Sequence, residues 1–286
     1  MFGKLVKHEF RATRRVIPFV FLLTVFIAGM MTVSVALNLE ALVGITMGLL
    51  IIMLIAEVII TYVLIVWRYY KTMCGNEAYL SHTLPVKPHL LMWSKFLVSF
   101  IWVAISYVVL AACMVLLIII FVKGTGTTFA EVFDQLKIFW QAFGLRGQEV
   151  TVIASVIGLF ILSIVSGLTQ LFFSVSLGST SKLHKYGIGG PVLVYVVLYF
   201  ALQIVSMAAM ALVPLAFEVQ ATEAGELSFH IVSRNMLEWF IETIRNGEPV
   251  SNAGLVGIGS YLILPVLVAV LLYATVRIVD RHTSVR

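Results

Sequence analysis

LVGITMGLLIIMLIAEVIITYVLIVW, residues 42–67, is the stretch on which the fold turns. It holds one Asp, Glu, Lys or Arg side chain, Glu57, and exceeds the roughly 20 helical residues that cross a hydrocarbon core of about 30 Å. A lone strand in lipid would leave its backbone N–H and C=O groups unpaired, so the run reads as a helix. Outward from it, apolar runs of similar length occupy residues 17–37, 96–122, 151–175, 191–214 and 255–276. The sequence therefore predicts an all-α integral membrane protein, with residues 1–286 forming a single transmembrane domain of six transmembrane helices.

Composition agrees. The chain is 61% hydrophobic and 12% charged, about half the charge with which a soluble domain coats itself. Two cysteines, Cys74 and Cys113, are too few for a disulfide framework and read as free thiols. The net charge of +5 does not point to nucleic acid, because the basic residues are dispersed and gather beside the ends of apolar runs. The basic N-terminus precedes a run without a small-residue cleavage site, which reads as a retained span rather than a signal peptide.

Segments 1–16, 68–95, 176–190 and 277–286 together hold fourteen of the 19 lysines and arginines. Lys123, Lys137, Arg146, Arg234 and Arg245 fall in the alternate connections. The positive-inside rule then puts both termini in the cytoplasm.

Three connections read as amphipathic. Phe2, Leu5, Val6 and Phe10 recur at helical spacing beside Lys4, Lys7, Arg11 and Arg14, which predicts an interfacial helix over 2–15. Thr128 and Glu131 match a capping box ahead of Phe129, Val132, Phe133, Leu136 and Phe143, with Trp140 beside that stripe. Ser233 reads as the cap of a helix carrying Met236, Leu237, Phe240, Ile241 and Ile244, which dips into the membrane or rests on it. The connection 215–254 is too short for an independent soluble core, and no internal repeat stands out.

Catalytic signatures are absent. There is no G-x-x-x-x-G-K-[ST] loop, no H-E-x-x-H, and Gly257-Ile258-Gly259-Ser260 does not complete a G-x-S-x-G elbow. His8, His82, His89, His184, His230 and His282 are scattered without ligand spacing. The chain reads as holding no metal and no cofactor, and as no enzyme.

The most informative connection is WRYYKTMCGNEAYLSHTLPVKPHLLMWSKFL, residues 67–97. A mere turn needs only a few polar residues, yet Tyr79, Leu80, Leu84, Val86, Leu90 and Leu91 are interspersed here. Residues 77–84 read as a short helix ended by Pro85, since proline disfavours helix in the residue before it. That helix either presents Tyr79, Leu80 and Thr83 to a partner or tucks them under the protein's own helices.

EAYLSHTLPV, followed by KPHLLMWSK and preceded by the basic KLVKHEFRATRR, resembles the membrane-spanning subunit of type-two ATP-binding cassette (ABC) exporters, particularly bacterial permeases of the Firmicutes sort. The resemblance extends over most of the chain and is most specific in the loop. It implies an elbow helix over 1–16, six spans, and a cytoplasmic coupling helix over 77–85, in a permease of the bacterial plasma membrane. It further implies two copies of a separate cytoplasmic ATPase, which carries ATP and magnesium, and a second permease subunit, identical or related. The matching coupling positions are Glu77, Ala78, Tyr79, Leu80, Ser81, Thr83, Leu84 and Pro85, with Lys87, Arg68 and Lys71 flanking them. GSTSKLHKYGIGG, residues 178–190, resembles the shorter second inner loop. The connection before the sixth span is more polar than a membrane-re-entrant hairpin would be.

Glu57 lies ten residues before Trp67, about 15 Å along a helix and so near mid-bilayer. A carboxyl there faces a transport path or subunit interface, or else is a neutral structural group bonded to a neighbouring helix. Thr61, Gln170, Gln203 and Ser206 carry the same pair of readings, path lining or helix bridging. Function on this reading is export of a drug, peptide, lipid or glycan precursor by a moving permease. A membrane anchor or sensor that recruits an ATPase without moving cargo, and an intramembrane lipid-modifying enzyme, are the rivals.

Overall fold

The computed structural model describes residues 2–75, 77–78, 86–125, 130–131, 134, 137, 149–180, 183, 186–221, 227–246 and 253–282. Among them, six helices are long and apolar enough to cross a membrane, so the chain has the character of a multi-pass membrane protein. The chain divides into two compact units: Met1–Thr128, Gly167–Val194 and Tyr273–Arg286 form the first, Phe129–Ser166 and Tyr195–Leu272 the second.

The first unit opens with α1 (Phe2–Thr13), the amphipathic helix expected at the N-terminus. A turn leads into α2 (Ile17–Ala36), whose Pro18 sits in the first turn, where a missing N–H costs nothing. α2 ends on Asn38 at φ 52°, with Leu39 N–H donating to Ser34 C=O and Asn38 N–H to Val35 C=O. This is the reversal more usually built on glycine; asparagine tolerates the left-handed conformation and closes the α2 carbonyls before α3 (Glu40–Met73) returns beside it. α4 (Pro88–Thr125) completes a three-helix core in which Ala28, Met31, Leu50, Leu54 and Cys113 pack together. Farther along, Tyr69 of α3 and Phe96 of α4 both pack on Phe172 of α5 (Glu149–Gly178), the first tilted and the second edge-on, with ring centroids 4.0 and 5.5 Å apart. The outward faces of these helices stay apolar, Phe19, Leu22 and Val25 among them, as suits a lipid solvent.

Helices α3 and α4 extend beyond the apolar runs that announced them, to Met73 and back to Pro88 respectively. Polar residues prolong them because Arg68 and Lys95 find a buried partner, described below.

The second unit departs from an all-helical reading. After α6 (Gly189–Leu212), the chain forms a three-stranded antiparallel sheet of β1 (Ala216–Ala221), β2 (Leu227–Val232) and β3 (Ala253–Gly257), ordered β2-β1-β3. Ala216 pairs with both Val232 and Gly257, so one end row of the sheet adjoins the end of α6 and the start of α8 (Gly259–His282). Ile258 N–H donating to Leu215 C=O fastens that row. Gly257 and Gly259 lie against the carbonyls of Met210 and Ala209 so closely that a Cβ at either position would collide with backbone.

The sixth span thus begins at Gly259, not at 255. Residues 255–257 belong to β3, because a short apolar run reads alike as strand or helix end. Alternation in FEVQ (217–220) and SFHI (228–231) was the available strand signal. α7 (Met236–Asn246) follows β2. Ser233 does not cap it: its hydroxyl donates to Pro214 C=O, and Asn235 stands before the first helical residue, bonded to Glu238 at 3.2 Å. Of the amphipathic segment expected after Thr128, only residues 130–131, 134 and 137 are described, and they are helical.

Candidate functional site

The polar chemistry of the first unit concentrates where α1 meets α3 and α4. Glu9 is buried on α1 and accepts from Arg68 Nε at 2.6 Å on Oε1 and from Lys95 Nζ at 3.0 Å on Oε2. Burial alone would raise the Glu9 pKa, but Lys95 and Arg68 outweigh it and hold the carboxyl below its ordinary 4.5. One turn on, Thr13 accepts from Trp102 Nε1 at 2.8 Å and donates to Glu9 C=O at 3.1 Å. Phe10 lies flat on the Trp102 indole, with centroids 4.9 Å apart and planes 7° from parallel. These contacts clamp α1 to two spans. The cavity they enclose is about 10 Å³, room for about one water and no ligand.

The clamp adjoins the half-apolar connection. Lys71, three residues beyond Arg68, pairs with Glu77 at 2.6 Å, and Ala78 N–H donates to Gly75 C=O with Ala78 itself buried. On the far side Lys87 is exposed, His89 meets Asp280 of α8 at 3.4 Å, and Leu91 and Met92 are buried. Tyr79, Leu80, Ser81, Thr83, Leu84 and Pro85 lie outside the described residues, as do Ser181, Lys182, His184 and Lys185 of the second loop. Burial pushes the Cys74 thiol above its ordinary value, so it stays protonated and unreactive at neutral pH.

Glu57 is wholly buried among α2, α3 and α4, where Ser106 Oγ donates to Oε1 at 3.3 Å and Thr24 faces the carboxyl. Among the described residues, its Oε2 and the Thr61 hydroxyl, one turn away and also buried, have no hydrogen-bond partner. Ser106 and Thr24 belong to the neighbouring helices α4 and α2. Gln170 sits half-buried on α5 in the first unit; Gln203, exposed, and Ser206, half-buried, lie on α6 in the second. Glu57 and Thr61 lie one turn apart on α3.

A larger cavity of about 240 Å³ is lined by Tyr62, Val66, Trp67, Tyr70, Leu171 and Pro191, with further aliphatic side chains. It offers no polar atom, so it can take an alkyl or aryl group but cannot orient a polar one. Among the described residues, no three His, Cys, Asp or Glu gather as metal ligands would.

Sequence reading missed Glu9, Lys95, Thr13 and Trp102 as a set. The signal was there: one acid among five cations in residues 1–16, and a lysine followed directly by an apolar run. No family model, curated protein or solved structure matches this chain.

Proposed function

We propose that this chain is the membrane-spanning permease subunit of an ATP-binding cassette exporter of the type-two kind. It works in a bacterial plasma membrane with both termini in the cytoplasm, beside a second permease, identical or related. Two copies of a cytoplasmic ATPase supply the motor, and ATP and magnesium are theirs. The cargo is a drug, peptide, lipid or glycan precursor.

The observation that supports this most is the pair of ion contacts three residues apart on α3: Arg68 to Glu9 and Lys71 to Glu77. Through them the start of the 77–85 segment, α1, α3 and, by Lys95, α4 share one set of charges. A displacement of that segment would be felt directly by two spans. For a motor, such a linkage is useful only if the ATPase contacts the two states of the permease differently.

The test is co-purification followed by flux. Wild-type protein should bring down an ATPase and drive ATP-dependent movement of cargo in vesicles, and Leu84→Asp should weaken attachment or uncouple hydrolysis from flux. A folded Leu84→Asp variant that transports normally would remove the segment from the mechanism. An ATPase that attaches without any flux would favour the anchor reading instead.

A further inference from the structure

The 240 Å³ cavity lies wholly within the first unit, walled by α3, the last turns of α5 and the start of α6. Three apolar runs end or begin in its wall: one at Trp67, one at Val175 and one at Pro191. The cavity therefore starts at the border of the hydrocarbon. From Tyr70 at that border it reaches back to Tyr62, eight residues or about 12 Å along α3. Val175 and Pro191 are buried at its back. Its rim is different: Val63, Trp67, Ile188 and Val192 are 58%, 54%, 52% and 58% exposed, so the mouth is continuous with the lipid-facing surface of the spans. At the border the backbones of α5 and α6 touch. A Cβ on Gly178 would stand 2.4 Å from Pro191 N, and one on Gly190 2.6 Å from Gly178 O. That contact fixes the spacing of the two helix ends and leaves the space beside it open.

We propose that this cavity is a binding site for one acyl chain of a membrane lipid, drawn from the leaflet on the side of the α3–α4 connection. A void of this size exceeds the roughly 150 Å³ of an apolar cavity that takes up benzene, and leaving it empty would forfeit dispersion contacts along its whole wall. Water gains nothing there, because the wall offers it no polar partner. Hydrocarbon adjoins the mouth, and a lipid tail is the hydrocarbon present. Trp67 at the rim suits the same border, with its indole at headgroup level. The tail also has a structural task. Tyr70 and Leu171 of the wall are chain neighbours of Tyr69 and Phe172, whose rings join α3 to α5, so the tail packs beside that contact. With no polar atom to read a headgroup, the site selects the chain and not the lipid class. The inference needs only the membrane-spanning character of the chain and is independent of the exporter reading.

The full chain is reconstituted in nanodiscs of phosphatidylcholine that carries a diazirine midway along one acyl chain, irradiated and digested, and the adducts are mapped by mass spectrometry. Residues 62–70 and 171–175 should be labelled several-fold above Phe19, Leu22 and Val25 of α2, which are comparably exposed and belong to the same leaflet. Changing the lipid to phosphatidylglycerol should leave that ratio as it is. Val66→Trp and, separately, Leu171→Trp fill the cavity and should bring the ratio down to one, with unchanged labelling of α2 marking a folded protein. Equal labelling of the two faces in the wild type would overturn the proposal whatever the variants do. So would a ratio that survives both substitutions, or enrichment confined to one headgroup. Crosslinks from 62–70 to a second copy of the chain in place of lipid would overturn it as well, assigning the cavity to a protein contact.

Discussion

α1 and α7 are amphipathic helices of 12 and 11 residues, and they use that property in opposite ways. α1 is basic, yet it is fixed to the protein through its one carboxylate, with Thr13 and Phe10 on Trp102 completing the attachment. α7 is electrically balanced and keeps its apolar stripe open. The difference teaches that amphipathic spacing announces a helix with an apolar side without saying what meets that side. A buried polar residue with matched partners specifies a position, because any other position would strand its charge. An apolar stripe specifies only a class of solvent.

The largest effect should come from removing the specifying residue. Glu9→Gln leaves Lys95 buried without a counter-charge, and breaking such a pair costs about 3–5 kcal/mol. Amide exchange over residues 2–13 should accelerate strongly while exchange over 236–246 stays as it was. Equal protection of α1 in the variant and wild type would show that the aromatic contacts hold the helix unaided. Acid should mimic the substitution. With the Glu9 pKa lowered in the folded state, its contribution is fully present above the ordinary 4.5 and is lost as pH falls through the lowered value. Wild-type α1 should therefore loosen in acid by a step that Glu9→Gln lacks.

Six spans and the N-terminal helix were legible because lipid leaves a long apolar run few alternatives, and because Phe2 to Phe10 repeat at helical spacing. The sheet was harder to see. Its strands are five or six residues long, and in 215–254 their alternation competes with the stronger helical stripe of α7. The clamp was illegible for another reason. Glu9, Arg68 and Lys95 are separated by 59 and 86 residues along the chain, and each alone reads as an ordinary surface or topology-setting charge. Only packing shows that the positive ends of two spans share one acid.

A middle-sized effect should separate the aromatic from the polar part of the α1 attachment. Trp102→Phe keeps a ring for Phe10 to stack on and removes the N–H that Thr13 accepts, a loss of about 0.5–1.5 kcal/mol. Thermal unfolding should shift modestly, and α1 exchange should lie between wild type and Glu9→Gln. A shift as large as that of Glu9→Gln would mean that the hydroxyl–indole bond, and not the carboxylate, positions the helix.

The smallest effects should come from the ion pairs that resemble the clamp in distance and differ in exposure. Lys71 and Glu77 are 2.6 Å apart with side chains 52% and 43% exposed, and Arg234 and Glu242 are 3.1 Å apart at 45% and 49%. Water and salt already satisfy such groups, and each pair should contribute about 0–1 kcal/mol despite its short contact. Arg234→Ala should barely move the unfolding midpoint, with the difference vanishing in molar salt, whereas the cost of Glu9→Gln should persist there because Glu9 and Lys95 are buried away from ions. If salt erased both differences equally, the Glu9 cluster would be as open to water as the pair on α7, and burial would not be what distinguishes the two helices.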